Sequence, residues 1–218
     1  MGIVQRKERE REQRRGVILD AARNVIRKHG LENCSMERIA EEAELAKGTL
    51  YLYYRNRDEM MIALLAQDLA QLIDEVEKVS ASKLDCDKKL MKAVATFQKF
   101  SSNHDVFYKT ITHLNLRSVL GCQDASKHFT ATNFHDLNTR MIDLMSGIVQ
   151  EGMDTGIFNA EKPARYVVMQ LVLALKGIMV VTHNQLFPPA WDRLDSGKLI
   201  HYTAFLMIKG LKCQQQQG

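Results

Sequence analysis

Apolar residues return every three or four positions along nearly the whole chain, and no stretch sustains the strict alternation of a strand. The pattern therefore predicts an all-α fold of about nine helices. The first helix turns Ile18, Ala22, Val25 and Ile26 inward and stops at Gly30, with His29 in its last turn, where a partly cationic ring suits the helix dipole. Ser35 is placed to cap a short second helix whose buried stripe is Ile39, Ala40 and Ala43. A third short helix is expected from about Ala46 to Tyr53.

A long fourth helix is expected from Asp58, its carboxylate serving as the cap, through Met61, Leu64, Leu65, Leu69, Leu72, Ile73 and Val76. The polar segment Ser80 to Asp87 reads as a loop, and Leu90, Val94, Phe97 and Phe100 mark a fifth helix. A sixth is expected from Val106 to Leu116. The seventh is carried by Phe134, Leu137, Met141, Leu144, Ile148 and Gly152, ending at Gly156. An eighth spans Ala164 to His183 and a ninth Arg193 to Leu211. The expected division is an N-terminal arm with a three-helix helix-turn-helix domain (1–57), a larger helical domain (58–213) and a disordered tail (214–218).

Three short, closely packed helices, the last two joined by a tight turn, let one helix enter a DNA major groove while its neighbour crosses the backbone. Ala40 and Ala43 are small enough for such a crossing, and Leu45, Leu50 and Tyr54 lock the third helix onto the first two. Lys47, Gly48, Thr49, Tyr51 and Tyr53 are left on the outer side. Their chemistry suits DNA: a mobile cation, a backbone free to approach closely, a hydroxyl and methyl for a thymine edge, and flat rings tipped with phosphate-bonding hydroxyls. Arg55 and Arg57 follow in position for phosphates.

Charge adds to this picture. Residues 1–57 carry 13 basic and 9 acidic side chains, and residues 58–218 carry 17 of each, so the whole excess of the +4 net charge is N-terminal. Four cysteines, Cys34, Cys86, Cys122 and Cys213, show neither CxxC spacing nor a histidine partner, so reduced thiols without metal or disulfide are expected. No cofactor is expected, and no GxSxG, HExxH or glycine-rich phosphate loop supports an enzyme. The charged start Gln5 to Arg15 does not read as a signal peptide, and Arg6 stands where myristoylation needs Ser or Thr. The most apolar stretch, Tyr166 to Thr182, is interrupted by Gln170 and Lys176 and falls short of a span, so a cytoplasmic protein is expected.

From Ile18 to Leu65 the chain resembles the TetR (tetracycline-repressor-like) family, through Ala22, Gly30, Ser35, Met36, Ile39, Ala40 and Ala43, the run Lys47-Gly48-Thr49-Leu50-Tyr51-Leu52-Tyr53-Tyr54, and Arg57-Asp58-Glu59. The resemblance implies DNA contacts by Ser35, Lys47, Gly48, Thr49, Tyr51, Tyr53 and Arg57, with Arg38 as an addition. Two positions depart from the family pattern: Glu44 stands where glycine is frequent in the turn, and Ala46 where serine is frequent.

An inverted-repeat operator needs two reading heads about 34–36 Å apart, so a homodimer is expected. Its interface is placed on the eighth and ninth helices (about 164–183 and 193–211), the eighth being apolar nearly all round. The family further implies a small, partly apolar effector held in the larger domain, whose binding moves the fourth helix and releases the DNA, hence a ligand-responsive repressor. Candidate lining residues are Phe100, His104, Phe107, His113, Arg117, Phe134, Asn138, Met141, Met169 and Leu173. A redox regulator using Cys86 or Cys122 and a non-specific architectural DNA binder are the alternatives.

Overall fold

The computed structural model of the chain describes residues 2–113, 129–183 and 195–212. These residues form nine helices: α1 (Ile3–His29), α2 (Met36–Glu42), α3 (Lys47–Tyr51), α4 (Arg57–Ser80), α5 (Cys86–Asn103), α6 (Asp105–His113), α7 (Phe129–Asp154), α8 (Ala164–His183) and α9 (Ser196–Leu211). The expected tail at 214–218 lies outside the described residues.

Several boundaries differ from the sequence pattern, each for a local reason. The charged start is helical, and α1 runs 27 residues, because Arg6 and Glu10 pair at 2.9 Å along one face and nothing before Gly30 breaks the turn. Asp58 does not cap α4. Asn56 does: its Oδ1 accepts the Glu59 backbone N–H at 2.8 Å, and the Glu59 carboxylate reaches back past the cap to accept the Arg55 N–H at 2.7 Å. α5 starts earlier than the loop reading allows, at Cys86, and α7 starts at Phe129 rather than Phe134. Asp195 opens α9 by accepting the Lys198 N–H at 3.1 Å.

The chain divides into two compact units, Met1–Gln67 with Asp105–Phe134, and Asp68–His104 with His135–Gly218. The first therefore takes in, besides the residues up to 57, the opening turns of α4 and the whole of α6. Its core is a cluster in which Ile18, Ala22, Val25 and Ile26 of α1 meet Ile39 and Ala40 of α2, Leu50 and Tyr54 around α3, Met60, Met61 and Leu64 of α4, and Val106 of α6. Burial pushes the Tyr54 phenol up to about 12.

In the second unit α9 packs on α8 and α5. At its end the Asn159 N–H donates to Leu211 O at 2.7 Å, in a one-residue bridge between Phe158 and Lys212. Gly156 turns the chain here with φ of 72°, and Phe158 folds back onto Gly152, where any Cβ would meet its ring at 2.2 Å. Lys89, almost fully buried, is neutralised by Glu151 at 2.9 Å.

The turn between α2 and α3 carries a measurable flaw. Glu44 has φ of 54°, the left-handed region, and is the sole non-glycine residue there among the described residues. Ala46 occupies the N-cap of α3 with no side-chain bond to offer. Glu44→Gly and Ala46→Ser are each expected to raise stability by about 1 kcal/mol in urea denaturation, through relief of the left-handed backbone and through a new cap. A midpoint unchanged in both variants would show that this turn is not strained in solution.

Candidate DNA interface

The reading head is assembled from the first three helices. α1 and α2 lie against each other, and α2 holds α3. Ser35 caps α2, its hydroxyl accepting the Arg38 N–H at 3.3 Å, as the sequence predicts. Leu50 and Tyr54 are buried at 0% and 3% exposure and fix the rotation of α3. That rotation turns Lys47, Gly48 and Tyr51 to solvent, leaves Thr49 half-buried, and seats Tyr53 half-buried against the cluster. Leu52 is exposed beside them.

Three cations of this surface already have partners. Lys47 forms an ion pair with Glu37 of α2, and its ammonium sits 5.9 Å from the centre of the Tyr51 ring. The Lys47 bond holds the Glu37 carboxyl below the usual range, and Glu37 in turn raises Lys47. Arg38 donates to Asn33 O at 3.0 Å from an exposed position. Arg57 is half-buried and donates to Leu31 O at 2.6 Å, so its guanidinium ties α4 to the end of α1. Sequence reasoning misses Glu37 as a member of this surface. A signal exists for it, since a carboxylate in the first turn of the helix before a recognition helix lies near that helix's cations.

Gly48 is informative in another way. It sits on the outer side of a helix with nothing within 4 Å of a Cβ built on it, and its φ is not positive. Neither packing nor backbone geometry requires glycine there, and glycine within a helix is destabilising relative to alanine. What a bare backbone at this point permits is close approach by another surface.

The candidate effector residues fall in both units. Phe100 is buried in the second, with the His104 ring stacked on it at 3.9 Å and His104 Nδ1 bonded to Phe100 O at 2.9 Å. Asn138 and Met141 are half-buried on α7. Phe107, fully buried, and Phe134, half-buried, belong to the first unit. Met169 and Leu173 are exposed, at 39% and 62%, on the same face of α8 as Tyr166 and Val180. Arg117 and the His113 side chain lie outside the described residues.

The cysteines do not form a redox centre among the described residues. Cys34 and Cys86 are buried free thiols, and burial pushes both upward, the reverse of what a reactive thiolate needs. Cys122 lies outside the described residues.

A capped short helix, a tight turn and a second short helix with a polar, aromatic outer face define a helix-turn-helix DNA-binding protein. Residues 18–64 match the family of bacterial regulatory proteins described as the tetR family. The fatty acid metabolism regulator protein of Bacillus subtilis is 26% identical over 140 residues, which cover 64% of this chain and 68% of that protein. The transcriptional repressor KstR2 of Rhodococcus jostii is 26% identical over 153 residues, 68% and 69% of the two chains. The structure of Thermus thermophilus FadR, a repressor in complex with lauroyl-CoA, superposes with a TM-score of 0.67 at 16% identity, covering 94% of this chain and 98% of that one. Residues 18–64 are thus a DNA-binding region of the tetR-family type, and the chain is a DNA-binding regulator of transcription.

Gly48→Ala is expected to leave the free protein as stable or up to about 1 kcal/mol more stable, while weakening binding to operator DNA about tenfold because the backbone can no longer approach as closely. Denaturation and band-shift titration of one preparation check both halves, and wild-type affinity in the variant would remove Gly48 from the contact surface.

Proposed function

We propose that the chain is a ligand-responsive repressor that holds an inverted-repeat operator as a homodimer and releases it when an amphipathic effector binds the second unit. The observation that carries this reading is the outer face of α3, where Lys47, Gly48, Thr49 and Tyr51 have no duty in the core. Ser35, Arg38, Tyr53 and Arg57 flank that face and are assigned to the phosphates on either side, Arg38 and Arg57 by exchanging their carbonyl partners for phosphate oxygens.

The dimer is assigned to α8 and α9. Tyr166, Met169, Leu173 and Val180 form an exposed apolar stripe on α8, and Tyr202, Phe205 and Leu206 another on α9. Gly177 falls between Leu173 and Val180 with open space around it, which suits the close approach of a symmetry-related helix. Met169 and Leu173 are accordingly moved from the effector to the partner surface. α8 has the length and mean hydropathy of a membrane span, 20 residues and 1.7. Its opposite face, Val167, Val168, Leu171, Leu175 and Met179, is already buried within its own unit, which favours a protein partner over lipid.

For the effector, the named function of the Bacillus subtilis relative and the lauroyl-CoA in the Thermus thermophilus neighbour support a fatty acyl-CoA thioester. Phe100, His104, Asn138 and Met141 are assigned to it. Lys176 is half-buried on apolar α8, and burial alone lowers its ammonium, a shift that an anionic group beside it would oppose.

Two measurements test this reading. Adding lauroyl-CoA to the protein–operator complex is expected to dissociate it, free CoA and laurate having at least tenfold less effect; a complex indifferent to all three rules out this effector class. Leu173→Glu is expected to shift sedimentation from dimer to monomer and to weaken operator binding more than tenfold, since a charge would be buried twice across the two-fold axis. A variant that stays dimeric places the interface elsewhere.

A further inference from the structure

α1 begins fifteen residues before its first fully buried side chain, Ile18, and the extension from Val4 to Arg14 is exposed throughout. Within it Lys7, Arg11 and Arg14 follow at intervals of four and three, so they share one face about 10 Å long. With Glu10, Leu52 and Tyr53 they line an open groove of about 480 Å³. Its second wall is therefore the chain that leaves the recognition helix.

The charges in this groove are unevenly satisfied. Glu10 is engaged by Arg6. Lys7, Arg11 and Arg14 have no ion pair or hydrogen bond among the described residues. Like charges at these spacings repel one another. The first turn of α1 holds no acidic residue and Gly2 caps it without a side-chain bond, and the one carboxylate lining the groove, Glu10, is shared with Arg6. Neighbouring cations that are exposed, unpaired and mutually repelling match a polyanion.

We infer that this stripe is a second DNA-contacting element, in which Lys7, Arg11 and Arg14 hold phosphates of the duplex strand bordering the groove that α3 enters. The occupant is DNA because the cationic wall is continuous, through Tyr53, with the reading face, and the proposal rests on α3 being the recognition helix. The stripe carries no base readout. It adds affinity and extends the footprint, and leaves sequence choice to α3.

The test uses the full chain and two duplexes, one selected by the wild type from a randomised pool and one unrelated. In the variant K7Q/R11Q/R14Q, with circular dichroism checking that the fold is kept, the slope of log affinity against log salt on the selected duplex is expected to become shallower. The change is about 0.9 for each phosphate no longer neutralised, about 2.7 per protomer. Affinity is expected to drop roughly ten- to hundredfold with the preferred sequence unchanged. An unchanged slope on the selected duplex overturns the proposal. If the wild type selects no sequence at all, the reading of α3 fails, and the stripe is judged by the same change of slope on the unrelated duplex.

Discussion

A helix of five residues does not persist in water, because the cost of the first turn is never recovered over so short a length. α3 has five residues, no side-chain cap and a glycine at its second position. It exists because Leu50 and, just beyond its end, Tyr54 are withdrawn from water into a cluster built by α1, α2 and α4. Burying Leu50 contributes about 1.5–3 kcal/mol, of the order of the deficits left by Glu44 and Ala46. The same burial sets the azimuth of the helix, so the outer face is a by-product of the core: whatever is not Leu50 must point away.

This constraint explains why so much of the reading head is legible in the sequence. Ser35 before an apolar stripe, Ala40 at the crossing, Leu50 and Tyr54 four positions apart, and Gly30 after α1 are local signals that tertiary structure has no reason to override. The bounds of α8 are legible too, since Pro163 precedes its first residue. Less visible is anything that depends on a distant partner. The Arg57 guanidinium reaches a carbonyl 26 positions away, and Lys47 meets Glu37 across the turn. Asp58 looks like a cap because a carboxylate satisfies the same donors as the Asn56 amide oxygen, and only backbone geometry separates adjacent candidates. On α8, periodicity identifies apolar residues on every side but does not say which side its own unit covers, and Met169 and Leu173, named as effector candidates, lie on the side it leaves exposed.

The start of the chain shows a different limit. Apolar periodicity detects helices that bury a face, and the segment from Gln5 to Arg14 buries none. Its helix is legible in the i,i+4 pairing of Arg6 with Glu10 and in the absence of breakers, features usually read as a solvated run. Charge counting finds the N-terminal excess of positive charge without its arrangement. The arrangement requires knowing that Lys7, Arg11 and Arg14 look across a groove at Tyr53.

The ion pair between Lys47 and Glu37 bears on how such a protein finds its site. A regulator passes most of its search on DNA of the wrong sequence, where phosphates are the only attraction. On the proposed reading, with Lys47 held by a carboxylate on the same surface, each non-specific encounter at the reading head would have to break that pair and bring Glu37 up to a polyanion. At the correct sequence, base contacts compensate for this penalty; elsewhere nothing does. On that reading Glu37 would shorten the time spent at wrong sequences, and a carboxylate that looks like a defect in a DNA-binding surface would become a determinant of search speed.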